Sequence, residues 1–193
     1  MKKFTLLFIA VLSLAACSSD DSDNNSSSTD GYFFKATFQG ENYTEQNELL
    51  GEVYWDETDC ETDENLWRIY IGQIETSNLF IDANLMYYQN LSEFEGTNTG
   101  VRDVVPSWWT VEANCYGNFE LMLDLELGDD LFIVDSSADN SNNITSITMV
   151  SEDSQEVIYS VEGTYDAHFY DEFDESSTLR VTGSYRTPLH VLK

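Results

Sequence analysis

Glu120, Asp124 and Glu126 alternate with apolar residues between Phe119 and Leu127, so on a strand they share one face. Two carboxylates about 5 to 10 Å apart are what glycosidic hydrolysis needs, and this face offers them. The chain holds 36 Asp and Glu residues, so many other pairs meet the same spacing and the trio is a candidate rather than a signature. The densest acidic stretch runs from Asp56 to Glu64, where Asp56, Asp59 and Asp63 are candidate calcium ligands in an irregular loop. It lacks the central glycine of an EF-hand loop, and a plain solvated turn reads equally well. Asp135 to Asn143 is a second stretch of the same kind. His168 lies beside Asp166 on a polar strand face, but no Gly-x-Ser-x-Gly segment supplies a nucleophile elbow. His190 is remote from His168, and the two make no zinc spacing.

Aromatic residues offer binding rather than bond-breaking chemistry. Trp108 and Trp109 are adjacent, so a strand through them turns one ring in and the other out. The phase of Val111 and Cys115 assigns Trp109 to the interior and Trp108 to the outer face with Tyr116. A flat ring beside carboxylates and amides can stack on a pyranose while the polar groups bond its hydroxyls, and Tyr87 and Tyr88 would extend that platform. Burial of the same face under another sheet or loop is the competing reading.

The elements that must position these groups are strands. Beyond the 119–127 alternation, Val157, Tyr159, Val161, Gly163, Tyr165, Ala167 and Phe169 alternate with polar residues, and a strand that long is expected to bend or bulge near Gly163. Further strands are predicted over 32–38, 49–55, 66–74, 79–87, 108–116, 144–150 and 178–185, separated by Gly, Asn, Asp and Ser clusters. Helical periodicity is scarce. The expected fold is therefore all-β, an antiparallel sandwich or a partly closed barrel, formed by one domain over residues 31–193.

The first 16 residues carry Lys2 and Lys3, an apolar run from Phe4 to Leu14 and then small residues, which is the layout of a secretory signal. The run is shorter than the roughly 20 apolar residues that span a bilayer. Leu14-Ala15-Ala16-Cys17 resembles the lipobox of bacterial lipoproteins. That resemblance implies cleavage before Cys17 and attachment there of a diacylglycerol and an N-acyl chain such as palmitate, because several chains are needed for stable anchorage. Residues 17–30 hold no large apolar side chain and are expected to form a disordered acidic tether. Acidic residues directly after the cysteine resemble the export signal that moves Bacteroidota lipoproteins to the cell surface; a periplasm-facing anchor in the outer membrane is the alternative.

Removing residues 1–16 takes away two lysines and no acid, leaving 6 basic against 36 acidic residues and a formal charge of −30. Such a surface repels phosphate backbones and anionic headgroups, which excludes nucleic acid and leaves the lipid as the link to the membrane. With Cys17 assigned, Cys60 and Cys115 remain, and in an oxidising compartment a disulfide between them is expected. Closing a loop of about 55 residues contributes about 4 kcal/mol in the chain-entropy description.

Glu162-Gly163-Thr164-Tyr165-Asp166-Ala167, followed by an acidic turn and Leu179-Arg180-Val181-Thr182-Gly183-Ser184-Tyr185-Arg186, resembles the closing hairpin of small surface lipoproteins of Bacteroidota. Phe34-Lys35-Ala36-Thr37-Phe38-Gln39-Gly40 is similar to their opening strand, and Asn90 to Thr97 to their middle turn. No activity is attached to that group, so the resemblance implies a fold. The functional expectation is a lipid-anchored envelope module that binds a glycan or a protein, or has a structural role. A glycan hydrolase using a carboxylate pair is the alternative.

Overall fold

The computed structural model describes residues 31–46, 51, 53–54, 66–88, 91–94, 99–106, 118–125 and 130–193. In chain order these form β1 (Phe33–Phe38), β2 (Glu41–Glu45), β3 (Val53–Tyr54), β4 (Leu66–Glu75), β5 (Leu79–Tyr88), one helical turn α1 (Leu91–Phe94), β6 (Gly100–Arg102), β7 (Val104–Pro106), β8 (Phe119–Leu125), β9 (Asp130–Val134), β10 (Ser141–Glu152), β11 (Glu156–Asp171) and β12 (Thr178–Leu192). Among the described residues no helix is long and apolar enough to cross a membrane.

All the strands belong to one sheet, whose main path runs β2-β1-β12-β11-β9-β8-β5-β4-β3. Pairing is antiparallel except between β7 and β8. The sheet forks between β11 and β8. At one end β9 joins them, pairing with Phe169–Asp171 and with Leu123–Leu125. At the other end β10 pairs with β11 and with β6, and β6 leads through Asp103 into β7 beside β8.

Alternation places the expected residues inside. Phe119, Leu121 and Leu123 of β8, and Val161, Tyr165, Ala167 and Phe169 of β11, are buried. An aromatic column crosses the interior: Phe34 stacks on Tyr165 with centroids 5.8 Å apart, Tyr165 on Phe119 at 4.9 Å, and Phe119 on Tyr185 at 5.6 Å. Each phenol finds an acceptor, as buried tyrosines require. Tyr165 donates to the Lys35 carbonyl oxygen at 3.0 Å and Tyr185 to Asn142 Oδ1 at 3.0 Å. Both rings lie over glycines of the facing strand, because Tyr165 is paired with Gly183 and Tyr185 with Gly163. A Cβ at either glycine would overlap the ring.

The irregularity expected at Gly163 lies in its neighbour. β11 pairs with β12 without a shift from Glu156 to Tyr170, whereas β10 bulges at Thr145, opposite Gly163 and Glu162. Tyr185 packs on Gly163 within the unshifted β11–β12 ladder, and the extra residue sits in β10 instead. Four strands went unread in the sequence: β2, β6, β7 and β9. Three of them are polar or only three residues long, and β9 after Asp130 is an unbroken apolar run with no period to read. β12 also continues to Leu192 through Pro188, which sits past the end of the β1 ladder at Arg186.

The two ends of the sheet path curl toward each other and nearly close a barrel. Gly72 of β4 admits Phe34 of β1, since a Cβ there would overlap the Phe34 side chain. Gly51 donates its N–H to the Tyr70 carbonyl oxygen at 2.8 Å and lies against Pro188 of β12. Between β2 and β4 the closure is made by a side chain: the Glu45 carboxylate accepts the Gln73 backbone N–H, and Tyr70 Oη donates to Glu45 Oε1 at 3.3 Å.

Candidate functional site

From Glu45 and Gln73 the strands β2 and β4 part toward their hairpin tips, and the gap becomes an open cleft of about 530 Å³. One wall is the β1–β2 hairpin. Its two-residue turn, Gln39-Gly40, has positive φ at both positions (49° and 85°), the geometry whose twist suits a tight hairpin. β2 then turns Glu41, Tyr43 and Glu45 to one face. The other wall is the β4–β5 hairpin, where Thr76 N–H bonds the Leu79 carbonyl oxygen at 2.8 Å and Asn78 N–H bonds Thr76 Oγ1 at 3.3 Å. That turn sets Ser77 and Asn78 along the rim. Phe38 and Leu79, both buried, with half-buried Tyr43 and Leu125, supply the apolar lining.

This is a ring-lined cleft with an amide and hydroxyl rim, and Glu41 is the carboxylate in its lining. Glu45, at the inner end of the same row, is held above the ordinary carboxylate range by burial. The Gln73 N–H and Tyr70 hydroxyl oppose that shift, and the nearby Asp82 charge adds to it.

No protein-family model, curated protein or solved structure matches the chain.

The groups singled out in the sequence fall elsewhere. Cys17, Cys60, Cys115, Asp56, Asp59, Asp63, Trp108, Tyr116 and Glu126 lie outside the described residues. Tyr87 belongs to β5 opposite Trp67, eight residues from Leu79, which is about 26 Å along the strand from the cleft. Glu120, expected on a wet face, is buried, with 4% of its surface exposed, beside Asn84 of β5. Its strand partner Asp124 is four residues on, about 13 Å away, which is too wide for a hydrolytic pair.

Asp166 is engaged by the Arg180 guanidinium, while His168 Nδ1 faces Asn140 Oδ1 at 3.3 Å. The two therefore do not form a relay. In the 135–143 segment, Asp135 Oδ1 accepts from Ser137 N and Oγ at 2.9 and 2.6 Å, and Asn140 Oδ1 accepts the His168 N–H at 2.7 Å. These groups build a turn, and burial of Asn142 against Tyr185 removes a further oxygen from solvent. Among the described residues no group of three His, Cys, Asp or Glu side chains is arranged to hold a metal ion.

Nothing in the sequence marks Phe38, Tyr43 and Asn78 as binding residues, although Phe38 falls in the strand predicted over 32–38. The Gln-Gly pair followed by the Glu41, Tyr43, Glu45 alternation was the available signal for the β1–β2 wall.

Proposed function

We propose that this protein is a lipid-anchored lipoprotein of the outer membrane, displayed at the cell surface, that binds glycan in the cleft between the β1–β2 and β4–β5 hairpins. The observation that carries the reading is the cleft itself: apolar rings and aliphatic groups below, amides and hydroxyls around them, in a volume of about 530 Å³ that accommodates one or two sugar rings. The Leu14-Ala15-Ala16-Cys17 segment and the acidic residues after it support the anchorage and the surface address. β1 supports the orientation. It runs from Phe33, next to the predicted tether, to Phe38 at the cleft, so the site opens about 17 Å farther along the strand from the anchored end. Binding is favoured over hydrolysis because, among the described residues, the lining carries one carboxylate, Glu41, where glycosidic cleavage uses two.

The test has two arms. Cys17→Ala should leave the protein unprocessed and shed it from the membrane fraction; unchanged processing and fractionation would remove the anchor. Tyr43→Ala should abolish retention on a responsive glycan array while the circular dichroism spectrum stays that of the parent. Absence of retention of the parent on every glycan would remove the ligand class.

A further inference from the structure

Resting on the glycan-binding reading, the charge around the cleft narrows the ligand. On β2 the half-buried Tyr43 stands between Glu41 and Glu45, each two residues and about 7 Å away on the same face. Glu41 is exposed and lines the cleft, while Phe38, Gln39, Asn78 and Leu79 around it are neutral. The described basic side chains are placed elsewhere. Lys35 Nζ lies 4.5 Å from the Phe33 ring centroid on the outer face, Arg102 on β6 donates to the Val101 carbonyl oxygen at 3.0 Å, Arg180 is bound to Asp166, Arg186 to Glu162 at 2.9 Å, and Lys193 to Glu152 at 2.8 Å. The whole chain carries a formal charge of −28, and a concave site between low-dielectric walls concentrates such a field.

We infer that the cleft takes a sugar bearing a protonated amine, a 2-amino-2-deoxyhexose unit, with its ammonium between the Glu41 carboxylate and the Tyr43 ring face. A cation there gains the carboxylate and the ring quadrupole together. The apolar ring face meets Phe38 and Leu79, and the hydroxyls meet Gln39 and Asn78. Acetylating the amine removes its charge. Uronic or sulfated sugars bring negative charge into a negative site.

Calorimetry on the full mature chain compares a glucosamine tetrasaccharide with its N-acetylated counterpart and a galacturonic acid tetrasaccharide. The amine form should bind about tenfold tighter than the acetylated one. The acidic form should not bind. The preference should vanish in Glu41→Gln, which carries an exposed substitution, and near 1 M salt, where the screening length is about 3 Å. Equal or tighter binding of the acetylated sugar, or an unchanged preference in Glu41→Gln, overturns the amine specificity while glycan binding stands. No binding of any of the three overturns the amine specificity, and with no retention on any arrayed glycan it overturns glycan binding as well.

Discussion

The Glu45 carboxylate accepts the backbone N–H of Gln73, and among the described residues this joins two strands, β2 and β4, that share no ladder. A side chain does here what backbone pairing does around the rest of the barrel. It also sets the inner limit of the cleft, since the strands diverge beyond it.

Glu45→Ala leaves the Gln73 N–H and the buried Tyr70 hydroxyl without this acceptor, and the expected loss is about 1 to 3 kcal/mol. Glu45→Gln keeps an acceptor oxygen and should cost about 1 kcal/mol or less. Urea denaturation at neutral pH measures both. An alanine variant as stable as the parent would show that the seam does not depend on this bond.

Two sets of carboxylates give stability opposite dependence on pH. The Arg180 hydrogen bond holds Asp166 below its ordinary value of 3.8, so its contribution is complete above that pH and is lost as the medium is acidified through the lowered value. Asp135 and Asp174, lowered by the hydroxyls of Ser137 and Ser176, and Asp153, lowered by the Gln155 N–H, act in the same direction. Glu45 has the other sign: burial raises it above 4.5, so the folded state binds more protons in that window and loses stability as pH rises through it. Thermal melts of Asp166→Asn should therefore converge on the parent below pH 3.8. Melts of Glu45→Gln should gain on the parent as pH rises from 4.5. Parallel curves for either variant would contradict the assignment.

Gly163→Ala and Gly183→Ala should each destabilise by about 1 to 3 kcal/mol or more, through overlap with Tyr185 and Tyr165. They should respond differently to relief. At Gly163 the obstacle is the Tyr185 side chain, so Gly163→Ala should cost less in a Tyr185→Leu background, with a coupling of about 1 kcal/mol or more. At Gly183 the Lys35 backbone carbonyl also stands in the way, so Tyr165→Leu should relieve little of the cost. A double-mutant cycle with equal coupling at both sites would refute the distinction.

Cys60 and Cys115 should be joined in protein isolated from its source cells without reductant. Non-reducing peptide mapping should recover one linked pair, and reduction should lower the melting temperature, in line with about 4 kcal/mol from a loop of this length. Free thiols at both positions would exclude the bridge.

The strand period exposed most of the framework in advance, because β8, β11 and the first part of β12 each alternate apolar with polar residues. It misled at Glu120. Alternation reports which side a residue points to, and the outer side of β8 at Glu120 is covered as well. The candidate site was largely hidden for a different reason. Its residues come from two hairpin tips far apart in the chain, Phe38 to Tyr43 and Thr76 to Leu79, and what brings them together is a barrel seam that no local pattern announces. Among the described residues the side-chain bonds that mark the seam between β2 and β4 run to Glu45, an unexceptional member of a chain with 36 acidic residues.

The paired tyrosines and glycines of β11 and β12 solve a problem that hydrophobic patterning leaves open. Sliding one strand past the other by two residues keeps every inward side chain inward, so burial alone scarcely opposes it. In the native alignment Gly163 faces Tyr185 and Tyr165 faces Gly183. A slide one way would set Tyr165 against Tyr185, two rings competing for one site; a slide the other way would set Gly163 against Gly183 and leave a hole. Misaligned hairpins are thus penalised in both directions, by crowding in one and by emptiness in the other, and the chain can reject them before the rest of the barrel has closed.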